Sequence, residues 1–334
     1  MPVAGAHVYE FTPDLRLRIG GSRSAISYFD REYGVARVDE GTAAVEIEVG
    51  VPSTDGRPIR DSHKTVGWEV SLGDPHAGPI RVLVRLRGRP RSFALSLVQG
   101  YVVEPVLAIA AVRTGAVLLP AAGLVRDDGA LLVLGRSRSG KSSLSARALA
   151  RGVPMLGDDQ VLVDGAGRCL PFPRRLRAYG DLAATAPAAY ARLPPPVRAR
   201  IALRRAIAGV TRGYVAPSLQ IPPSALGHEE PPRTAKVARV ALVERTAGLD
   251  RVRAVEADSE QVIGFALELL EQQRVHLPVP DDAWRDVLAA ATKTAEGVLR
   301  SALAGIPALH VAVPDAWPAQ RAVPALAHAL GIDV

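Results

Sequence analysis

Gly135-Arg136-Ser137-Arg138-Ser139-Gly140-Lys141-Ser142 is the stretch whose residue types and spacing most directly specify chemistry. It fits the pattern G-x-x-x-x-G-K-[ST], in which a glycine-rich turn enters a helix and aims successive backbone N–H groups at one point. The helix dipole adds to that field, so the point suits a phosphate. In such a loop Lys141 reaches the β- and γ-phosphates and the Ser142 hydroxyl joins the Mg²⁺ shell. Gly135, Arg136, Ser137, Arg138, Ser139, Gly140 and Ser143 line the nucleotide. Only four lysines occur in the chain, Lys64, Lys141, Lys236 and Lys293, and one of them fills the slot the motif requires. A plain Gly/Ser turn leaves that lysine unexplained.

The second element is Asp158-Asp159, directly after the apolar segment Val153–Gly157. A strand that follows the loop's helix and lies next to the loop's own strand would deliver both carboxylates beside the γ-phosphate. One would hold or orient Mg²⁺ and the other would accept the proton of an attacking hydroxyl. The bland alternative is a turn, since Asp is common after strands. Further on, Pro171-Phe172-Pro173-Arg174-Arg175-Leu176-Arg177 brings three arginines close to that point. They either stabilise transferred charge or form a solvated charge run.

Three features together resemble the HPr kinase/phosphorylase superfamily, in its diverged kinase-like branch. They are the run Gly135–Ser142, the helix ending in Ala150-Arg151-Gly152, and Met155-Leu156-Gly157-Asp158-Asp159. The likeness covers about Glu104 to Arg177. It implies an α/β protein with a P-loop kinase-like core and a β-rich N-terminal domain. It also implies ATP and Mg²⁺, and a hydroxyl acceptor on Ser or Thr of a peptide or protein, or on a small molecule. Asp158 is then the general base and Asp159 shares the metal with Ser142. Two positions depart from the family pattern. Pro120, in Leu119-Pro120-Ala121-Ala122, stands where the family has a histidine, and Arg138 stands where such loops have a glycine. Arginine is costly at a position that needs positive φ. Its guanidinium would instead be useful if it met the γ-phosphate and replaced the charge that the histidine supplied, which makes Arg138 a catalytic candidate beside Lys141 and Asp158. These departures favour an alternative reading, a catalytically impaired nucleotide-binding module that regulates a partner in a biosynthetic cluster.

The elements that must position these residues are legible in outline. Val45, Ile47 and Val49 alternate with polar neighbours, as do Val66, Trp68 and Val70, then Ile80–Leu86 and Ser92–Val98, which predicts antiparallel strands. Val106–Val112 reads as a short buried helix. Ala116–Val125 and Ala130–Gly135 read as strands joined through Asp128-Gly129, a hairpin signal. Ser142–Arg151 is a helix and Val153–Leu156 a buried strand. A proline-rich insertion at about 183–235 contains a helix-capable segment, Val197–Arg212, carrying Arg198, Arg200, Arg204, Arg205 and Arg212. Val237–Glu244 and Ala308–Val313 are strands. Asp258 with Gln261 makes a capping box for a helix through Gln273, and Asp282–Ala304 and Ala319–Leu330 are helices. The predicted domains are 1–103, β-rich, and 104–334, carrying the loop.

Composition bounds the rest. The chain has 334 residues, 48% hydrophobic and 22% charged, a globular balance. Its single cysteine, Cys169, excludes an internal disulfide. No uncharged apolar run approaches the roughly 18 residues a membrane span needs, because Glu104 and Arg113 interrupt the most apolar stretch. Met1 to Glu10 lacks the pattern of a signal peptide. The expectation is a cytoplasmic protein, without a membrane partner and capable of forming a homo-oligomer. A net charge of +7 carried mostly by arginine, with only 4% aromatics, does not make a nucleic-acid surface.

Overall fold

The computed structural model describes residues 5–51, 58–211, 218–227 and 234–332. The chain is mixed α/β and divides into two units, Met1–Leu118 with Leu270–Leu299, and Leu119–Leu269 with Arg300–Val334. This division falls later than the 103/104 boundary read from the sequence, and it returns a C-terminal helical segment to the first unit.

The first unit is built on a seven-stranded sheet. Its order is Arg37–Val38, Ala6–Thr12, Leu15–Gly21, Val45–Val49, Ile80–Gly88, Val66–Leu72, Ile59–His63. Val45, Ile47 and Val49 are fully buried while Glu46 and Glu48 lie half-buried, the period-2 signature of a strand, but it runs parallel to both Leu15–Gly21 and Ile80–Gly88 and not antiparallel as its alternation suggested. Helix Arg23–Tyr33, not foreseen from the sequence, starts where the Ser22 side chain accepts the Ala25 N–H. It buries Phe29 and Tyr33, and Tyr33 meets Phe11 edge-on with ring centroids 5.5 Å apart. Ser92–Val98 is not the strand its alternation predicted. It lies in helix Arg91–Val98, burying Ala94, Leu95 and Val98, a spacing that fits a helical stripe equally well.

That helix continues through Gln99–Val103 into Glu104–Arg113. The run Arg91–Arg113 is long and apolar enough to cross a membrane, with an 18-residue window of mean hydropathy 1.7, but 78% of that window is buried within the protein. It is a core helix. The buried Glu104 is satisfied by Tyr33 Oη, 3.2 Å, and Gln99 Nε2, 2.9 Å, which explains a charged residue in this stretch.

In the second unit, Gly129–Gly135 pairs antiparallel with Ala121–Arg126 through the predicted hairpin, and parallel with Ala235–Thr246. Ala235–Thr246 in turn runs parallel to Ala308–Pro314. The predicted strand Ala116–Val125 is two strands, Ala116–Leu119 and Ala121–Arg126, separated at Pro120, which has no N–H to give to a ladder. A second correction concerns the strand before the Asp pair. Met155–Gly157 is hydrogen-bonded to Ala121–Arg126 and not to Gly129–Gly135, so one strand stands between it and the loop's strand.

The described part of the proline-rich insertion contains a helix and a strand pair. Helix Pro195–Val210 begins on prolines, and Leu219–Ile221 pairs with Leu176–Ala178. Arg212 and Pro231-Pro232 lie outside the described residues. The capping box is present: Gln261 N–H donates to Asp258 Oδ1 at 2.8 Å and Asp258 N–H to Gln261 Oε1 at 3.1 Å. Cys169 is fully buried, and desolvation pushes its thiol well above the usual range. Titration of the native protein with a thiol reagent is expected to show no reaction until denaturant is added, when one equivalent reacts.

Candidate functional site

The site begins at the C-terminal end of Gly129–Gly135. Leu131 to Leu134 are buried on both faces between an antiparallel and a parallel neighbour, so the strand is a rigid base. The chain then turns through residues 136–140 into helix Lys141–Ala150. Gly135 is demanded by space: a Cβ there would lie 2.6 Å from Ser139 Oγ and 3.0 Å from the Val243 carbonyl. Gly140 is demanded by conformation, with φ +104°. Ser139 N–H donates to the Arg136 carbonyl at 3.2 Å and tightens the turn. No side chain caps the helix at Gly140, so its first-turn N–H groups face the loop mouth.

Arg136, Ser137 and Arg138 form the exposed tip, and Ser142 and Ser143 are half-buried at the helix start. Arg136 turns away from the mouth. Its guanidinium pairs with Glu268 at 2.6 Å and with Glu244 at 3.7 Å, leaving its backbone to the loop. Arg138 has φ +68°, the left-handed conformation that the sequence comparison with glycine anticipated. That conformation costs a side-chain-bearing residue about 1–2 kcal/mol. Backbone strain of this kind clusters at functional turns. Arg138→Gly is expected to raise stability in urea unfolding by about 0.5–1 kcal/mol, the relief being partly offset by the freer unfolded chain.

Lys141 is 9% exposed, and its ammonium is held by the carbonyls of Gly135 and Arg136. Burial pushes it below the usual lysine range, against the opposing charges of Asp159 and Asp158. Asp158 is 1% exposed. Desolvation, with the neighbouring Asp159 charge, raises its carboxyl above the usual range; the hydroxyls of Ser145 and Ser142 and the backbone of Arg177 face it and work the other way. None of these closes a hydrogen bond of normal geometry, and both Asp158 oxygens lack a partner, as do Ser139 Oγ and Ser145 Oγ. Asp159 is differently placed. Its carboxylate accepts from Arg174 Nη1 at 3.1 Å, and that arginine side chain is 4% exposed while the Asp159 side chain is 41% exposed. Desolvation opposes its ionisation, but the charges of Arg174, Arg177 and Lys141 prevail and hold it below the usual carboxylate range.

The structure therefore brings together Lys141, Ser142, Asp158 and Asp159, even though the Asp pair arrives one strand further out than expected. The pairing with Ser142 differs from the sequence reading: Asp158 faces Ser142, whereas Asp159 faces Arg174. Arg174 is thus a buried partner of the Asp pair and no part of a solvated run. Ser145 was not singled out, although its i+3 spacing from Ser142 puts both on one helix face. Pro120 also belongs to the site's surroundings. The register Leu134 to Ala121 sets it level with Gly135, beside the mouth.

Among the described residues no group of three His, Cys, Asp or Glu side chains could hold a metal alone. The two unpartnered Asp158 oxygens, with the Ser145 and Ser142 hydroxyls facing them and Asp159 beside them, are an oxygen-rich donor set. That suits Mg²⁺, which is bound through one or two carboxylates together with substrate phosphates. No protein-family model matches the chain, and a search of the curated proteins returns no match to it.

Proposed function

We propose that the protein is an ATP- and Mg²⁺-dependent phosphotransferase with a P-loop kinase-like core, acting on a hydroxyl of a peptide, protein or small molecule. One observation carries this reading. A fully desolvated carboxylate without hydrogen-bond partners, Asp158, faces the first-turn serine of an uncapped helix and shares the charge of a buried lysine. A buried carboxyl whose oxygens have no hydrogen-bond partner is expensive in a folded protein and is kept where a ligand uses it.

In this reading the backbone N–H groups of residues 136–143 hold the β- and γ-phosphates and Lys141 neutralises their charge. Asp158 takes the acceptor proton as the acceptor oxygen bonds to the γ-phosphorus and the bond to the β-phosphate oxygen breaks, releasing ADP. Arg174 holds Asp159 ionised. Ser142 and the Asp pair would hold Mg²⁺, which would supply positive charge against the phosphates. The Ser142-facing position of Asp158 supports a variant in which Asp158 itself is the protein's metal carboxylate.

A second reading, nucleotide binding without transfer, is favoured by Pro120, which stands level with Gly135 and has no proton to exchange. Both readings require nucleotide binding. Calorimetric titration of Mg-ATP into the protein is expected to give one site per chain with micromolar affinity, and Mg²⁺ omission is expected to weaken it at least tenfold. Absence of binding would remove both.

A further inference from the structure

Helix Pro195–Val210 carries a feature that phosphate chemistry does not use. Its inner side buries Ile201, 2% exposed, and the helix packs on strand Leu219–Ile221. Its outer side is apolar as well. Leu203 is 60% exposed, Ile207 37% and Val210 87%. These are spaced i, i+4, i+7, and exposed Ala199 and Ala206 flank them on the same face. An apolar stripe at helical spacing on the solvent side is the pattern of a helix waiting for a second helix. Small residues within it allow close approach.

The charges around the stripe identify the occupant. The helix carries Arg198, Arg200, Arg204 and Arg205 and no acidic residue. Among the described residues none of these four pairs with a carboxylate: Arg204 donates to the Ser218 carbonyl at 2.7 Å, and Arg205 reaches the Gly180 carbonyl at 3.5 Å. By helical periodicity Arg200 and Arg204 border the stripe. Two copies of this helix would set arginine against arginine, so self-pairing is disfavoured. A membrane-surface helix would carry bulky Trp, Phe or Leu where this one has alanines.

We propose that the outer face of Pro195–Val210 is the docking surface for an acidic amphipathic helix in a peptide or protein partner. The helix is linked to the candidate site through one strand pair. Leu219–Ile221, under the helix, pairs with Leu176–Ala178, and Arg177 on that strand acts on both Asp158 and Asp159. The docking itself does not depend on phosphoryl transfer and is measured without nucleotide.

The test uses the full chain and a fluorescent amphipathic peptide with Leu and Ala at i, i+3, i+4 and i+7, flanked by glutamates. A sequence-scrambled peptide of the same composition and a version with lysine for glutamate serve as controls. Saturable anisotropy binding of the acidic helix alone, weakened by salt, is expected. Leu203→Glu with Ile207→Glu should reduce it at least tenfold with an unchanged melting temperature, because both side chains are exposed. Binding no better than the scrambled peptide, or binding insensitive to the double variant, overturns the proposal. So does a result in which the double variant instead abolishes binding to phosphatidylserine vesicles or dissociates a dimer in sedimentation, since the face would then belong to a membrane or a second copy.

Discussion

Asp158→Asn is expected to lower phosphoryl transfer by about 10²–10⁴-fold while changing Mg-ATP affinity less than about threefold. The substitution keeps the shape of a side chain that is 1% exposed and removes its capacity to take a proton. It is also expected to make the protein more stable. Desolvation and the Asp159 charge raise the Asp158 carboxyl in the folded state. A carboxyl raised on folding contributes stability below its unfolded value and loses it as pH climbs through the folded value. At neutral pH the carboxyl therefore works against the fold, and the uncharged amide does not. Inactivity with a raised melting temperature at pH 7, and a smaller difference at pH 4, is the expected pair of results. If Asp158 is instead the metal carboxylate, the variant will show weakened Mg²⁺ dependence in binding as well as in transfer.

Lys141→Ala is the second large effect. Its ammonium is the cation shared by the loop carbonyls and the two carboxylates, and it sits where the β- and γ-phosphates would converge. Removing it is expected to weaken ATP binding about 10²-fold and to reduce transfer by about 10³-fold or more, because the interaction strengthens as charge builds on the transferred group. Titration calorimetry and a transfer assay separate the two quantities. Lys141→Arg should not restore transfer, since a planar guanidinium cannot occupy a slot shaped for a compact ammonium that is 9% exposed.

Much of the candidate site was legible because local constraints wrote it. Gly135 and Gly140 are glycines for two different reasons, space and φ, and both leave a fixed spacing in the chain. Lys141 and Ser142 follow one another at a helix start, and the Asp pair closes a strand. Arg138 was flagged as a residue that a positive φ would strain, and its φ is +68°. The parts that the sequence misplaced depend on long-range pairing. Nothing in Met155-Leu156-Gly157 says that it hydrogen-bonds to Ala121–Arg126, because short apolar strands carry no register signal of their own. The partner of Asp159 could not be chosen among Arg174, Arg175 and Arg177 without knowing which side chain turns inward. Ser92–Val98 was misread because seven residues with mixed apolar spacing satisfy both periods, and its continuation into Glu104–Arg113 decides for the helix. Pro120 was seen as a substitution, but its consequence for the strand and its level with Gly135 needed the ladder.

The central claim is that the loop and the Asp pair together move a phosphoryl group to a hydroxyl. It is tested most directly by incubating the purified protein with γ-labelled ATP, with and without Mg²⁺, free serine and a pool of Ser-containing acidic peptides. The label should appear on an acceptor only with Mg²⁺, with ADP released in equal amount, and with no transfer in Asp158→Asn. Mg-ATP bound by the protein and returned unchanged after hours with every acceptor, or label transfer that survives intact in Asp158→Asn, would contradict it.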